Sequence, residues 1–387
     1  MSSIGTLSAI SIAESVASSN EKLISSGAAT AALPLMQFVF EYGHQSDSYL
    51  STAPGRATFW SANHGGLVSY KRVGRYLLVS GGLIAPVSER PRLLKEFLQF
   101  AASNRWRASF FCIPEEDVPL FRDVGFCANK MGEDATIDLR SVTFAGKSYE
   151  WVRRQSNYCL RHGVWFEELR PYDHSKHEWA EIQRELDVVG RDAMREKPQV
   201  GELKFFDGTL GDHKLGLRRL FVARTQTEGR TRIEGYVVCN PIHRGRAWST
   251  EIYRHRSDAV RGTIPFLFHQ IALQLQREGV EQLHLCIVPA RNCEEPIVGD
   301  KPIIRHGLLF FRRHLSLLFN IQGIDHFKSR FRPTYDNSYL CSPRDPSICA
   351  MLATVWAFGL LRISPLKMLR LVWSRMRKRR THLMSAD

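Results

Sequence analysis

Hydrophobic and polar positions along this chain change period in a repeating order. From about Pro34 the pattern becomes that of a packed protein. Short apolar runs at Ala57–Trp60, Gly66–Tyr70 and Tyr76–Ser80 predict strands, separated by turns containing Gly, Asn and Arg. Pro91–Asn104 then switches to helical spacing, with Leu93, Leu94, Phe97, Leu98 and Ala101 on one side. Ala108–Ile113 reads as a strand, Pro114–Val124 as a helix and Ala135–Leu139 as a strand.

A second block repeats the theme. Tyr149–His162 is a basic helix and Trp165–Leu169 a strand; Trp179–Met194 is helical. Leu220–Thr225, Glu234–Asn240 and Ala247–Tyr253 form a strand meander, followed by a helix at Gly262–Gly279 and a strand at Gln282–Ile287. Meander, helix and strand follow the order of the GNAT acyltransferase fold. The expectation is a mixed α/β protein with two tandem GNAT-like lobes, at 34–143 and 144–345.

The two ends differ from the middle. Residues 2–33 are rich in Ser and Ala without aromatics, and 1–33 is expected to be a flexible or loosely helical leader, not a signal peptide. Ile348–Leu361 carries no charge but is shorter than the roughly 20 residues a transmembrane helix needs. Arg362, Lys367, Arg370, Arg375, Arg377, Lys378, Arg379 and Arg380 follow, with no acid before Asp387. Leu366, Leu369, Val372, Trp373 and Met376 interleave with them at helical spacing. Residues 346–387 therefore read as a basic amphipathic tail lying in the plane of a membrane, with Trp356, Phe358, Lys367, Arg370, Trp373, Arg377, Lys378, Arg379 and Arg380 as its contacts. A helix docking on an apolar groove of the same protein is the other reading.

Charge agrees with an anionic partner. The 387 residues hold 53 Lys and Arg against 39 Asp and Glu, a balance of +14. Such an excess suits nucleic acid or an anionic phospholipid surface. Eight cysteines form no C-x-x-C pair, so reduced thiols in the cytoplasm and no metal site are expected.

Four stretches carry candidate chemistry. Phe319-Asn320-Ile321-Gln322-Gly323 through Phe327-Lys328-Ser329-Arg330-Phe331-Arg332-Pro333-Thr334-Tyr335 sets aromatic rings among cations; Phe327 and Phe331 share one face if helical. Glu251-Ile252-Tyr253-Arg254 leads into Gly262-Thr263-Ile264-Pro265-Phe266-Leu267. Gly132-Glu133-Asp134-Ala135-Thr136-Ile137-Asp138-Leu139 precedes Gly146-Lys147 and a helix with Arg153, Arg154 and Arg161. Phe59-Trp60-Ser61 lies near the start.

In this order the four resemble the lipid aminoacyltransferase domain of bacterial phosphatidylglycerol lysyl- and alanyltransferases, over about residues 37–343. Every fixed position of that family's F-N-x-Q-G-x-x-x-F-K-x-[KR]-F-x-P-x-[WY] pattern is present. Two departures stand out: Glu251 stands where the pattern has Asp or Asn, and Pro265 replaces the later acid. The resemblance implies transfer of an aminoacyl group from aminoacyl-tRNA, the co-substrate, to a lipid hydroxyl at the inner membrane face, with phosphatidylglycerol as acceptor and no further cofactor.

That chemistry needs carboxylates to hold the α-ammonium or take a proton, for which Glu133, Asp134 and Glu251 are candidates. Cations are needed for the developing oxyanion and the tRNA phosphates; Arg254, Lys328, Arg330, Arg153 and Arg154 are candidates. Glu133, Glu251, Arg254, Lys328 and Arg330 are expected to converge on one cavity. A GNAT N-acyltransferase using a thioester donor is one rival, although the 256–263 loop has lost the usual glycines. A non-catalytic basic scaffold for membrane or RNA is the other. His64-Gly65-Gly66 reads as a turn, since no G-x-S-x-G elbow accompanies it, and Cys286 as a core residue.

Overall fold

The computed structural model describes residues 27–195, 215–227, 229–314, 320–345 and 348–357. In chain order these fold as α1 (Gly27–Tyr42), β1 (Ala57–Trp60), β2 (Leu67–Val73), β3 (Tyr76–Val79), α2 (Arg90–Ser103), β4 (Arg107–Pro114), α3 (Val118–Asp123) and β5 (Phe126–Asp138). Then come α4 (Glu150–Arg161), β6 (Trp165–Leu169), α5 (Lys176–Arg195), β7 (Arg219–Thr227), β8 (Arg230–Ile242), β9 (Ala247–His255), α6 (Thr263–Arg277) and β10 (Gln282–Pro289). The chain continues as α7 (Pro302–His314), α8 (Ile321–Ser329), β11 (Thr334–Pro343) and α9 (Ile348–Ala357).

The described strands form one mixed sheet in the order β1-β2-β3-β4-β11-β5-β10-β9-β8-β7-β6. Its centre is the antiparallel pair β5/β11, running from Thr334 opposite Thr136 to Pro343 opposite Phe126. Outward from that pair the two halves mirror each other. β4 and β10 flank it, each antiparallel to its central neighbour and parallel to the next strand out, β3 or β9. Helix α2 connects β3 to β4 as α6 connects β9 to β10. This is the tandem acyltransferase architecture, with one feature the strand order along the chain does not reveal. β11, from the far end of the second block, lies inside the first half of the sheet.

Alternation along the strands builds a core on each face. In the first half Leu77 and Phe110 join Leu93, Phe97 and Phe121 beneath α2 and α3. Their neighbours Leu78 and Phe111 face the other way and meet Met131 and Leu308 of α7. In the second half Phe221 and Val237 pack against Phe268 and Ile271 of α6, while Leu220 and Val238 pack against Leu186 and Val189 of α5. Helix α2 shows how locally this is written. Leu93, Leu94, Phe97 and Ala101 form its buried stripe. The Asn104 amide donates to the Phe100 carbonyl at 2.8 Å, and Arg105, at φ 57°, turns the chain away.

Residues 1–26 of the expected leader lie outside the described residues. Helix α1 starts at Gly27 and carries Pro34 inside it, so the end of the expected leader is helical. Its Val39 packs with Tyr49, Leu67 and Ile84. Among the described residues no helix is long and apolar enough to cross a membrane. The apolar run after Ile348 forms α9; the side chain of Trp356, and Phe358, Lys367, Arg370, Trp373, Arg377, Lys378, Arg379 and Arg380, lie outside the described residues.

Candidate active site

The site lies where β9 and β10 part. Their parallel pairing covers only Ala247–Ser249 against Gln282–His284. Beyond it each strand carries a bulge. On β9, Val238 faces Ile252 and Cys239 faces Thr250, which leaves Glu251 as the extra residue. On β10, His284 faces Thr136 and Ile287 faces Asp134, and Cys286 within that irregularity has φ 63°. In a regular strand consecutive carbonyls point in opposite directions. The left-handed Cys286 brings two to the same side, and Lys328 Nζ of α8 donates to both Cys286 O and Ile287 O at 2.9 Å.

A segment from the first half of the chain completes the chamber. After α1, residues 43–52 pass between the two halves of the sheet and bond to both. His243 N donates to Gly43 O at 2.9 Å, and Ser249 Oγ donates to Ser46 O at 2.8 Å. Ser46 Oγ donates to Asp134 Oδ2 at 2.6 Å. Gly81 N donates to Asp47 Oδ2 at 2.9 Å, and Leu217 N donates to Tyr49 Oη at 3.0 Å. His44 Nε2 lies 3.2 Å from Asp117, which Arg90 also holds at 2.9 Å.

Three carboxylates, Asp134, Glu251 and Asp47, act electrostatically on the Cys286 thiol; burial, with Asp134, pushes it well above its ordinary value, against Lys328. The fully buried Asn240 donates its amide to Glu251. Arg56, which donates to Ser80 Oγ at 2.6 Å, and Arg218 both feel the Glu251 charge. Burial raises Asp47 to about 7, although Gly81 N–H and Arg56 act against it. His284 Nδ1 lies 3.3 Å from Thr136 Oγ1 and 3.9 Å from Asp134, and burial lowers its pKa. A carboxyl that burial raises toward neutrality, with two further carboxyl groups and two guanidiniums nearby, is a set of groups that can bind an ammonium group and exchange a proton. Among the described residues no group of three or more His, Cys, Asp or Glu is arranged to hold a metal ion.

The sequence candidates divide. Glu251 and Asp134 meet here, but Glu133 does not join them, because adjacent strand residues face opposite ways. Glu133 instead accepts from Lys130 Nζ at 2.7 Å, Arg291 Nε at 2.8 Å and Asn292 Nδ2 at 3.0 Å. Arg291 also pairs with Asp325 and lies 4.0 Å over the Tyr335 ring. Lys328, expected on tRNA phosphates, is 4% exposed and spends its charge on the β10 carbonyls. Arg254 is buried on the Ile252 side of β9 and donates to Tyr253 O at 2.9 Å. Arg330 stands outside, 5.7 Å over the Trp151 ring at the start of α4. Arg153 donates to Phe144 O at 2.6 Å, and with Arg154 and Arg161 lines a surface hollow along α4. The expected convergence on one cavity is therefore not found: Glu251 lies at the β9/β10 opening, Lys328 is buried on the β10 carbonyls, Glu133 and Arg254 have partners of their own, and Arg330 joins the basic face of α4.

The sequence pattern of the family described as "Phosphatidylglycerol lysyltransferase, C-terminal" matches residues 37–342. The chain belongs to this family. It is 24% identical over 323 residues to the phosphatidylglycerol lysyltransferase of Bacillus subtilis (strain 168), covering 83% of this chain and 36% of that one. It is 21% identical over 319 residues to that of Staphylococcus aureus (strain COL), covering 82% and 36%. The chain thus spans about a third of the length of these relatives. L-PGS from Bacillus licheniformis shares its fold, with a TM-score of 0.68 at 22% identity over 84% of this chain and 96% of that one. A C-terminal domain from Agrobacterium fabrum does so as well, at 0.68 and 19% identity over 87% and 98%.

Within this phosphatidylglycerol lysyltransferase family member, aromatic rings of α8 pack on β9 and α6. Phe327 of α8 sits 6.3 Å from the Tyr253 ring of β9 and 5.1 Å from the Phe268 ring of α6, and Phe331 is fully buried beside them. At the start of α6, Pro265 supplies no N–H. The loop before it is braced by Ser257 on Asp192 and by Arg232 on Asp258. Asp47, Arg56, Arg218 and Tyr49 escaped the sequence reading. No period or motif marks them; the one available signal was the polar run His44-Gln45-Ser46-Asp47-Ser48 soon after the apolar Leu35–Phe40 stretch.

Proposed function

We propose that this protein transfers an aminoacyl group from aminoacyl-tRNA to the hydroxyl of a phosphatidylglycerol-type lipid at an anionic membrane surface. The observation that carries the reading is the gathering of Glu251 and Asp134, from two separate family motifs, with Asp47 within electrostatic reach of Cys286 at the β9/β10 opening. The lipid hydroxyl oxygen attacks the ester carbonyl carbon of the donor. A carbon–oxygen bond to the lipid forms as the bond to the terminal ribose breaks. The hydroxyl proton passes through a chamber carboxyl to the departing ribose oxygen, and Asp47 has the pKa suited to that relay. Glu251 and Asp134 hold the α-ammonium, and the guanidiniums of Arg56 and Arg218 offset the charge that develops on the carbonyl oxygen. One ester replaces another, so the exchange needs no separate energy source.

The polynucleotide is assigned to α4. Trp151, Arg154, Tyr158 and Arg161 recur at helical spacing on one side of it, and Arg330 covers Trp151. Rings interleaved with guanidiniums fit a nucleic-acid backbone and its unpaired end. The basic tail and the inner membrane face remain part of the proposal. The test is transfer of labelled amino acid from charged tRNA into lipid extracted after reaction with phosphatidylglycerol vesicles. Glu251→Gln and Asp134→Asn should abolish transfer, and Arg154→Glu with Arg161→Glu should weaken tRNA retention about tenfold or more. Saturable acyl-CoA turnover without tRNA would replace this reading with the thioester one.

A further inference from the structure

We propose that the outer stripe of α7, together with Leu352 of α9, is a docking surface for an anionic lipid bilayer. Ile303, His306, Phe310 and Arg313 are spaced three, seven and ten residues along α7, which puts them within about 80° of arc. All four are exposed, Ile303 at 49% and Phe310 at 59%. The orientation of the helix is fixed from behind. Ile304 is buried, and Leu308 packs into the cluster of Leu78, Phe111 and Met131. Arg305 pairs with Asp300, and Arg312 NH1 donates to Ala290 O at 2.7 Å. The large apolar groups that remain on the outside are held there by contacts on the inside.

A second helix adds to the same face. α9 packs on β2 and β3, whose Val73 and Leu78 meet Leu308 from α7. The opposite face of those strands is taken by α2, so α7 and α9 share a side. Leu352 of α9 is 56% exposed. The sequence that continues from α9 carries eight Lys and Arg from Arg362 to Arg380 with no acid among them. Apolar and cationic groups in one stripe, followed by a cationic extension, fit a surface that offers both acyl chains and phosphate charge. A polynucleotide would use Arg313 and gain nothing from Ile303 or Leu352. The inference goes beyond the aminoacyl-transfer reading and does not depend on it.

Flotation of the full chain with vesicles, without tRNA, tests it. Wild type should bind vesicles containing phosphatidylglycerol and bind phosphatidylcholine vesicles weakly. The Ile303→Ser/Phe310→Ser variant should lose at least about tenfold in partitioning with an unchanged thermal midpoint, since each buried side chain of this size contributes more than that alone. Arg313→Glu should lose severalfold, and less at high salt. Val87→Ser, at another exposed apolar residue, 73% accessible and next to α2, should bind as wild type. Unchanged partitioning of the double variant overturns the proposal. So does an Arg313→Glu protein that loses tRNA retention and keeps vesicle binding, which would make the stripe an RNA surface. Transfer to detergent-dispersed phosphatidylglycerol reads the chemistry separately: a double variant that transfers normally there but fails on vesicles supports docking and leaves the reaction intact.

Discussion

Beyond Val79 and Phe110 the gap between β3 and β4 is closed by the chain itself, whereas the matching gap beyond Ser249 and His284 is lined with ionisable side chains. In the first, Ser48 Oγ donates to Gly81 O at 3.0 Å, Gly81 N donates to Asp47, and the Gln45 side-chain amide fills the space where a Cβ on Gly82 would lie. In the second, Glu251 is bulged out of its strand and Asp134, Arg56 and Arg218 gather near it. The likeness beneath is close. Phe111-Cys112-Ile113-Pro114 and Leu285-Cys286-Ile287-Val288-Pro289 occupy related strands, and both cysteines are left-handed, at φ 58° and 63°. One backbone device thus serves twice, once beside a segment that fills the gap and once beside a cluster of ionisable side chains.

The sharpest way to break this contrast is to remove one charge from the second gap. Glu251→Gln should reduce aminoacyl transfer by at least about 100-fold, the size of a lost charge-assisted contact near 3 kcal/mol, while the thermal midpoint stays within a few degrees. A variant with near-normal transfer would make the second gap as inert as the first. Lys328→Met should act on structure alone. Losing an ammonium from two buried carbonyls should cost about 2–4 kcal/mol in chemical denaturation, with tRNA affinity unaltered; a selective fall in tRNA affinity would return Lys328 to the binding surface. Ser48→Ala in the first gap should cost about 1–2 kcal/mol and leave the transfer rate within twofold once the protein is folded.

The last test is the pH response of Asp47. Its folded value of about 7 lies above the ordinary 3.8, so between those limits the folded state keeps a proton that the unfolded state has lost. Stability therefore falls as pH rises through that window, by at most about 1.4 kcal/mol per unit. Asp47→Asn should flatten the slope of unfolding free energy against pH; an unaltered slope would show that Asp47 is ionised throughout.

Legibility in the sequence followed the range of the interactions. β1 and β6 lie at the boundaries that alternation predicts, and α2, α4 and α6 fall within about two residues of theirs. β11 was invisible because it reads Thr-Tyr-Asp-Asn-Ser-Tyr, a polar run that becomes a central strand only through pairing with β4 and β5. The motifs carried Glu251 and Asp134 to the site. They could not tell Glu133 from Asp134, since which side of β5 each faces is fixed by register. Phe327 and Phe331 do bury together, 5.5 Å between rings, though Phe331 lies just past the end of α8.

The place of β11 has a consequence during synthesis. When a ribosome has delivered β1 to β5, the slot between β4 and β5 is still empty, and it is filled only when residues 334–343 emerge. Until then two strands of the nascent chain present unpaired edges, which favour association with other chains. A fragment cut near residue 143 is expected to share that defect and to precipitate or bind chaperones, whereas co-expression with a second fragment carrying 144–345 should restore it. The last strand made is the one that locks the first half shut.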